Sequence, residues 1–317
     1  MLILMRPSGE QRRRMCVVDA SEPRWFGAPI LPAVFSRRLR DLCRALLRNE
    51  PILIFNVGIL EAILALLPLR GRKVCCLHQW LPLGGLPIWK RFVYWRLLSS
   101  ARLIVTYSQR DRESLQMRYP SVECAWIGHF TDTAFFDPGN GTRDGGEKYY
   151  LCAGDHKRLE AIISEVSNRL DIKIIRFSTN PDVAAFHRIN SPRVECLTGI
   201  SFEHVKRLYA GASLVLNAVD DSLFPAGITT FCEAIAMGRP VITSGGHSCS
   251  GYDSENVTGF EKVVGITSAD EWIEKIEKVE REIGDFDCSL VRAIALKSCS
   301  FDSMRCAWDK VKDRLLA

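Results

Sequence analysis

No apolar run in this 317-residue chain can cross a bilayer: the longest, Ile59 to Leu69, spans 11 residues and carries Glu61, against the roughly 20 that a membrane helix needs. The start, Met1-Leu-Ile-Leu-Met-Arg-Pro7, reaches a charge too early for a secretory signal and is followed by no small-residue cleavage site. The 12 cysteines form no Cys-x-x-Cys and no paired Cys/His spacing, which argues against structural zinc and against a disulfide framework. Cys75, Cys76 and Cys152 lie inside apolar runs, where a reduced thiol acts as a small hydrophobe, so the expectation is a reducing, cytoplasmic compartment. A strand–Gly-x-Gly-x-x-Gly–helix fingerprint is also missing, since Gly139-Asn-Gly141 and Gly245-Gly246 lack that context; hydride transfer is disfavoured. Asp220-Asp221 has too few neighbours for a ligand set, and no metal or other cofactor is expected.

What is present is an ordinary globular balance, 47% hydrophobic and 25% charged residues, in a length that suits two domains. The sharpest break in composition is Asp137–Glu147, which is made of turn-forming and polar residues and sets the expected boundary between domains 1–138 and 147–300. Beyond it, strand-like runs at Tyr149–Ala153, Ile172–Phe177, Val194–Leu197, Leu214–Asn217 and Val241–Thr243 alternate with helical stretches at 157–169, 201–210 and 230–237. Before it, runs at 51–56, 73–77 and 102–107 alternate with helices at 58–67, 88–98 and 109–118, the last opened by a capping box at Ser108. This βαβ rhythm predicts an α/β fold of two tandem Rossmann-like, doubly wound domains, with ligands beyond the carboxyl ends of the strands, in an inter-domain cleft.

The segment Asp220–Ser244 carries the most chemistry. A strand ends, a loop reaches Gly227, a short helix begins, and Gly238 and Pro240 close it before the next strand. Free amides near Ile228, Thr229 and Thr230 at a helix N-terminus suit a diphosphate, and Glu233 could accept from a ribose diol. Thr230-x-x-Glu233 is equally a capping box, in which Glu233 would serve only the helix itself.

The stretch Glu233-Ala-Ile-Ala-Met-Gly-Arg-Pro-Val-Ile242 resembles the donor-binding motif of GT-B glycosyltransferases of the family-four group. Ser108–Leu115, Asp132-Thr-Ala-Phe-Phe-Asp-Pro138, Tyr209–Leu216 and Ser300–Trp308 resemble other elements of that family in the expected order, the last as a helix (301–317) that crosses back to the first domain. The resemblance implies transfer of a sugar, with retention, from a nucleotide-diphosphate sugar to an acceptor held by the N-terminal domain. It implies donor contacts from Gly154, Gly227, Ile228, Thr229, Thr230, Glu233 and Asp221. Lys157 or Arg158 would stabilise the departing diphosphate, His78 would stand at the reacting centre, and Asn56 would line the acceptor side. One departure stands out: where the family has a first, sugar-side glutamate, this chain has Pro225. A sugar-nucleotide epimerase of the same fold and a non-catalytic sugar-nucleotide-binding protein are the alternative readings.

Charge is distributed unevenly. Residues 1–130 hold 20 Lys and Arg against 9 Asp and Glu, net +11, and the remainder 22 against 28, net −6. In the helix 88–98, Trp89, Tyr94 and Trp95 interleave with Lys90 and Arg91, a pattern suited to an anionic membrane surface. A lipid-linked or polysaccharide-precursor acceptor at the inner face of the cell membrane is the matching expectation. Nucleic acid would explain the same charge but has no accompanying motif, and plain solvated helix faces remain an explanation too.

Overall fold

The computed structural model describes residues 2–4, 24–25, 28–29, 46–48, 52–54, 66–67, 73–78, 87–140, 147–155, 158–220, 226–244, 249–252, 257–263 and 268–317. The chain divides into two compact units, Met1–Ile127 with Arg305–Ala317, and Gly128–Met304.

The first unit is built on a parallel sheet in the order β1 (Leu2–Leu4), β4 (Ile52–Ile54), β5 (Val74–His78), β6 (Leu103–Thr106), β7 (Glu123–Trp126). A separate antiparallel pair joins β2 (Arg24–Trp25) to β3 (Ala28–Pro29). Every position of β6 is buried, as expected of a strand covered on both faces, where apolar runs replace alternation. Helix α1 (Ile88–Ser100) buries Val93, Tyr94, Leu97 and Leu98 in a core with Ile52, Val74 and Ile104. Helix α2 (Gln109–Arg118) starts where Ser108 Oγ accepts from the Asp111 amide at 3.4 Å, which is the cap read from the sequence.

The second unit carries a six-stranded parallel sheet: β10 (Val194–Leu197), β9 (Lys173–Phe177), β8 (Tyr149–Ala153), β11 (Leu214–Asn217), β12 (Val241–Ser244), β13 (Phe260–Val263). Counted from β8 this is the 3-2-1-4-5-6 order of a dinucleotide-binding sheet, so its winding reverses between β8 and β11. Helices α3 (Glu160–Leu170), α4 (Pro181–Asn190), α5 (Phe202–Gly211), α6 (Ile228–Ala236), α7 (Ala269–Glu282) and α8 (Cys288–Ser298) connect and cover it. One core joins Trp272, Ile276 and Val279 of α7 to Ile163 and Val166 of α3 and to Tyr150, Leu216 and Ile242 of the sheet. Each such large side chain taken from water contributes about 1.5–3 kcal/mol. The last helix, α9 (Phe301–Leu316), belongs from Arg305 onward to the first unit, where Arg314 pairs with Glu123 at 2.8 Å.

The division falls at Ile127/Gly128, ahead of the polar stretch Asp137–Glu147 expected from composition. The reason lies in α8. Arg292 donates to the carbonyls of Phe136 (2.9 Å) and Thr133 (3.1 Å) and to Asp137 Oδ2 (2.9 Å), while Phe136 meets Tyr209 edge-on at 5.9 Å. Residues 133–137 are thereby fastened to the second unit. The ten cysteines among the described residues are free thiols, and burial pushes Cys76 up to about 12. Among the described residues, no helix is long and apolar enough to cross a membrane.

Candidate functional site

Gly154 follows β8 directly with φ +96°, a conformation an L side chain rarely adopts, and a Cβ there would stand 2.5 Å from Arg158 Nη2. Backbone and guanidinium can approach this closely because residue 154 is glycine. The Arg158 side chain donates from Nη1 to Asn217 Oδ1 at 2.6 Å, from Nη2 to Thr230 Oγ1 at 2.7 Å, and from Nε to the Gly154 carbonyl at 3.3 Å. Thr230 Oγ1 in turn donates to the Ala153 carbonyl at 3.1 Å. Asn217, fully buried at the end of β11, donates to Thr243 Oγ1 at 3.0 Å. These groups stand where β8 and β11 end side by side, at the reversal of the sheet's winding, which is where open α/β sheets bind ligands.

All three acceptors around Arg158 are uncharged oxygens. They position the guanidinium without neutralising it. Burial draws its pKa below the ordinary value, yet an arginine stays protonated at neutral pH. A cation held in partly desolvated surroundings by neutral partners is a site prepared for an anion, whose arrival offsets that penalty.

Helix α6 adds a second source of positive potential. Its N-cap is Gly227, with φ +75°, and a Cβ at that position would overlap the Asn217 side chain. Ile228, Thr229 and Thr230 form the first turn, whose amides have no partner within the helix and carry the positive end of its dipole. Because the helix starts at Ile228, Thr230 and Glu233 both lie inside it, and the capping-box reading of that pair is corrected. Glu233 is 8% exposed and its Oε2 accepts from the Tyr209 hydroxyl at 3.0 Å. Burial, reinforced by the Glu233 charge, pushes the Tyr209 phenol well above its ordinary range, so the phenol remains a donor. Thr229 Oγ1 lies 3.1 Å from His129 Nε2, and the His129 amide donates to Tyr252 Oη at 2.8 Å, which ties the 128–131 segment to the start of α6.

A buried ionic network supports the loop from behind. Glu160, the first residue of α3, accepts from Arg176 Nη2 at 2.7 Å and Nε at 3.1 Å, and His187 Nε2 stands 2.8 Å from its Oε2. His187 Nδ1 reaches Ser164 Oγ at 2.8 Å. Arg176 and His187 are fully buried. Although burial alone would raise the Glu160 carboxyl, the hydrogen bonds and charges of His187 and Arg176 bring it down to about 2.

Seven of the residues read from the sequence therefore meet in the second unit: Gly154, Arg158, Gly227, Ile228, Thr229, Thr230 and Glu233. Lys157, Asp221, Pro225 and Asn56 lie outside the described residues. The His78 backbone ends β5 opposite Thr106, and its side chain is likewise outside them. Sequence reasoning missed Asn217, Tyr209 and His129. Asn217 had a signal, a single polar residue ending the apolar run Leu-Val-Leu-Asn.

No family model matches this chain, and no curated protein matches its sequence. Solved structures do. A glycosyltransferase from Rickettsia africae superposes with a TM-score of 0.68 at 14% identity, over 88% of this chain and 80% of that one. Sucrose-phosphate synthase from Thermosynechococcus elongatus gives 0.67 at 14%, over 92% and 81%. HepE from Anabaena, solved in complex with UDP, gives 0.68 at 13%, over 87% and 82%. With its two parallel-sheet units and these likenesses, the chain has the GT-B fold.

Proposed function

We propose that this protein is a glycosyltransferase that moves a sugar from a nucleotide-diphosphate sugar to an acceptor. The observation that carries the reading is Arg158, held by three neutral acceptors beside the N-terminus of α6, at the winding reversal of a dinucleotide-type sheet. A nucleoside diphosphate gains negative charge as the glycosidic bond breaks, so a fixed guanidinium and oriented amides stabilise the transition state more than the ground state. Gly154 and Gly227 let the backbone lie close to the phosphates, and Ile228, Thr229 and Thr230 offer their amides. Glu233, oriented by Tyr209, accepts from the ribose. HepE is a neighbour solved with UDP and, separately, with UDP and glucose, and a UDP-sugar is the first donor to try.

His78, Lys157 and Asp221 keep the reacting-centre, diphosphate and donor roles that the family resemblance implies, and Asn56 the acceptor side. The reaction proceeds with retention. The acceptor is lipid-linked or a polysaccharide precursor, bound by the first unit at the inner face of the cell membrane.

Thermal unfolding with UDP-, GDP- and ADP-sugars tests the assignment, since a ligand at 100 times its Kd stabilises by about 2.7 kcal/mol. One of the three raises the Tm of the wild type and fails to raise that of Arg158→Gln. No shift with any of them, or an equal shift in the variant, defeats the reading. Donor binding with neither transfer nor slow hydrolysis would instead support a non-catalytic binder, the alternative that Pro225 favours.

A further inference from the structure

Four arginines of the second unit pair with a carboxylate: Arg169 with Asp270, Arg176 with Glu160, Arg193 with Asp171 and Arg292 with Asp137. Arg158 makes no such pair among the described residues, although an acid stands on either side of it in the chain. Both acids are engaged elsewhere. Asp155 Oδ1 accepts from Ser178 Oγ at 2.5 Å and from the Thr179 amide at 2.8 Å, and the Glu160 carboxylate is taken by Arg176 and His187. What Arg158 Nη1 meets instead is Asn217 Oδ1, at 2.6 Å. The residues after Asn217 also grip the backbone around Arg158. The Leu159 amide donates to the Ala218 carbonyl at 3.1 Å, Val219 forms the antiparallel bridge to Arg158, and the Val219 amide donates to Ser244 Oγ at 2.8 Å.

Among the three acceptors of Arg158, the Gly154 carbonyl is backbone and the Thr230 hydroxyl has no acid of its own shape. Asn217 has one: aspartate is nearly isosteric with it and would bond a guanidinium more strongly. We propose that Asn217 is a positioning residue whose neutral amide aims Arg158 and leaves its charge for the diphosphate of the donor. A carboxylate in its place would answer the guanidinium permanently and repel the arriving anion. This role rests on the glycosyltransferase reading for the identity of the anion. It makes stability and affinity move in opposite directions at position 217, which a merely structural asparagine would not do.

The test is calorimetric titration of the full chain with inorganic pyrophosphate, and separately with UDP-, GDP- and ADP-sugars, at neutral pH and fixed ionic strength. Wild type, Asn217→Asp and Asn217→Ser are compared, and the Tm of each is measured. Asn217→Asp melts at or above the wild-type temperature, because a buried guanidinium gains a counter-charge and the Thr243 hydroxyl can donate to the new oxygen. It nevertheless binds pyrophosphate about 100-fold more weakly, the effect of one added negative charge close to the anion at an effective dielectric constant of about 20. Asn217→Ser keeps the site neutral but releases Nη1, so it melts below the wild type and binds about fivefold more weakly, as for one lost hydrogen bond. Affinities that instead follow the order of the melting temperatures, with the serine variant binding worst, overturn the proposal. So does an aspartate variant that keeps wild-type affinity or melts below the serine variant, and so does a wild type that binds no pyrophosphate. A wild type that binds pyrophosphate but none of the sugar nucleotides, and loses that binding in Asn217→Asp, defeats the glycosyltransferase reading alone and upholds the role of Asn217.

Discussion

Glu160→Gln removes the only carboxylate that Arg176 pairs with among the described residues, and leaves a fully buried guanidinium without its counter-charge. The size of the effect follows from the carboxyl itself. Its pKa falls from 4.5 to about 2, and at about 1.36 kcal/mol per unit that is about 3 kcal/mol of stability. The side chain is 21% exposed, so solvent screens little of this, and the figure agrees with the 3–5 kcal/mol typical of breaking a buried pair. The folded value lies below the unfolded one, so the contribution is complete above pH 4.5 and is lost as pH falls toward 2. Urea unfolding of the second unit, with Trp272 as its buried fluorophore, should therefore show wild type and variant about 3 kcal/mol apart at neutral pH and less than half that near pH 3. The corresponding fall in Tm is roughly 6–12 °C. A gap below about 1 kcal/mol at neutral pH, or one that persists unchanged at low pH, refutes the reasoning. Because Glu160 opens α3 just after Arg158, weaker nucleotide binding should accompany the loss.

Gly227→Ala places a side chain at φ +75° and into Asn217; denaturant melts should show a loss of about 2 kcal/mol or more, and nucleotide binding should fall because Asn217 is an acceptor for Arg158. Wild-type stability and affinity together would contradict both parts. Tyr209→Phe withdraws the phenol from a buried carboxylate, with an expected cost of about 1–3 kcal/mol. Calorimetric titration with the responsive sugar nucleotide should show a raised Kd, and an unaltered Kd would remove Glu233 from the ribose.

Legibility in the sequence followed burial. Strands β8 and β11 stand where apolar runs placed them, because a strand covered on both faces carries its apolar residues consecutively. Helix α4 was invisible for the opposite reason. Its buried residue is His187, fixed by Glu160 and Ser164, and a helix anchored by a polar side chain shows no apolar stripe. Similar logic applies to the site. Glycines at strand ends and a short helix before Gly-x-Pro announce a phosphate-sized niche, since they report local backbone geometry. The orientation of a charged side chain is not local: Arg158 depends on Asn217, 59 residues away, and on Thr230, 72 away. In the sequence, adjacent Lys157 and Arg158 are both candidate cations, with Lys157 the preferred one. The backbone of Arg158 is carried alongside the end of β11 by an antiparallel bridge to Val219. A planar, multiply donating guanidinium can bond a carbonyl, an amide and a hydroxyl at once there, which an ammonium on a flexible stem does less well. Arg158→Lys should consequently retain the charge yet lose the alignment.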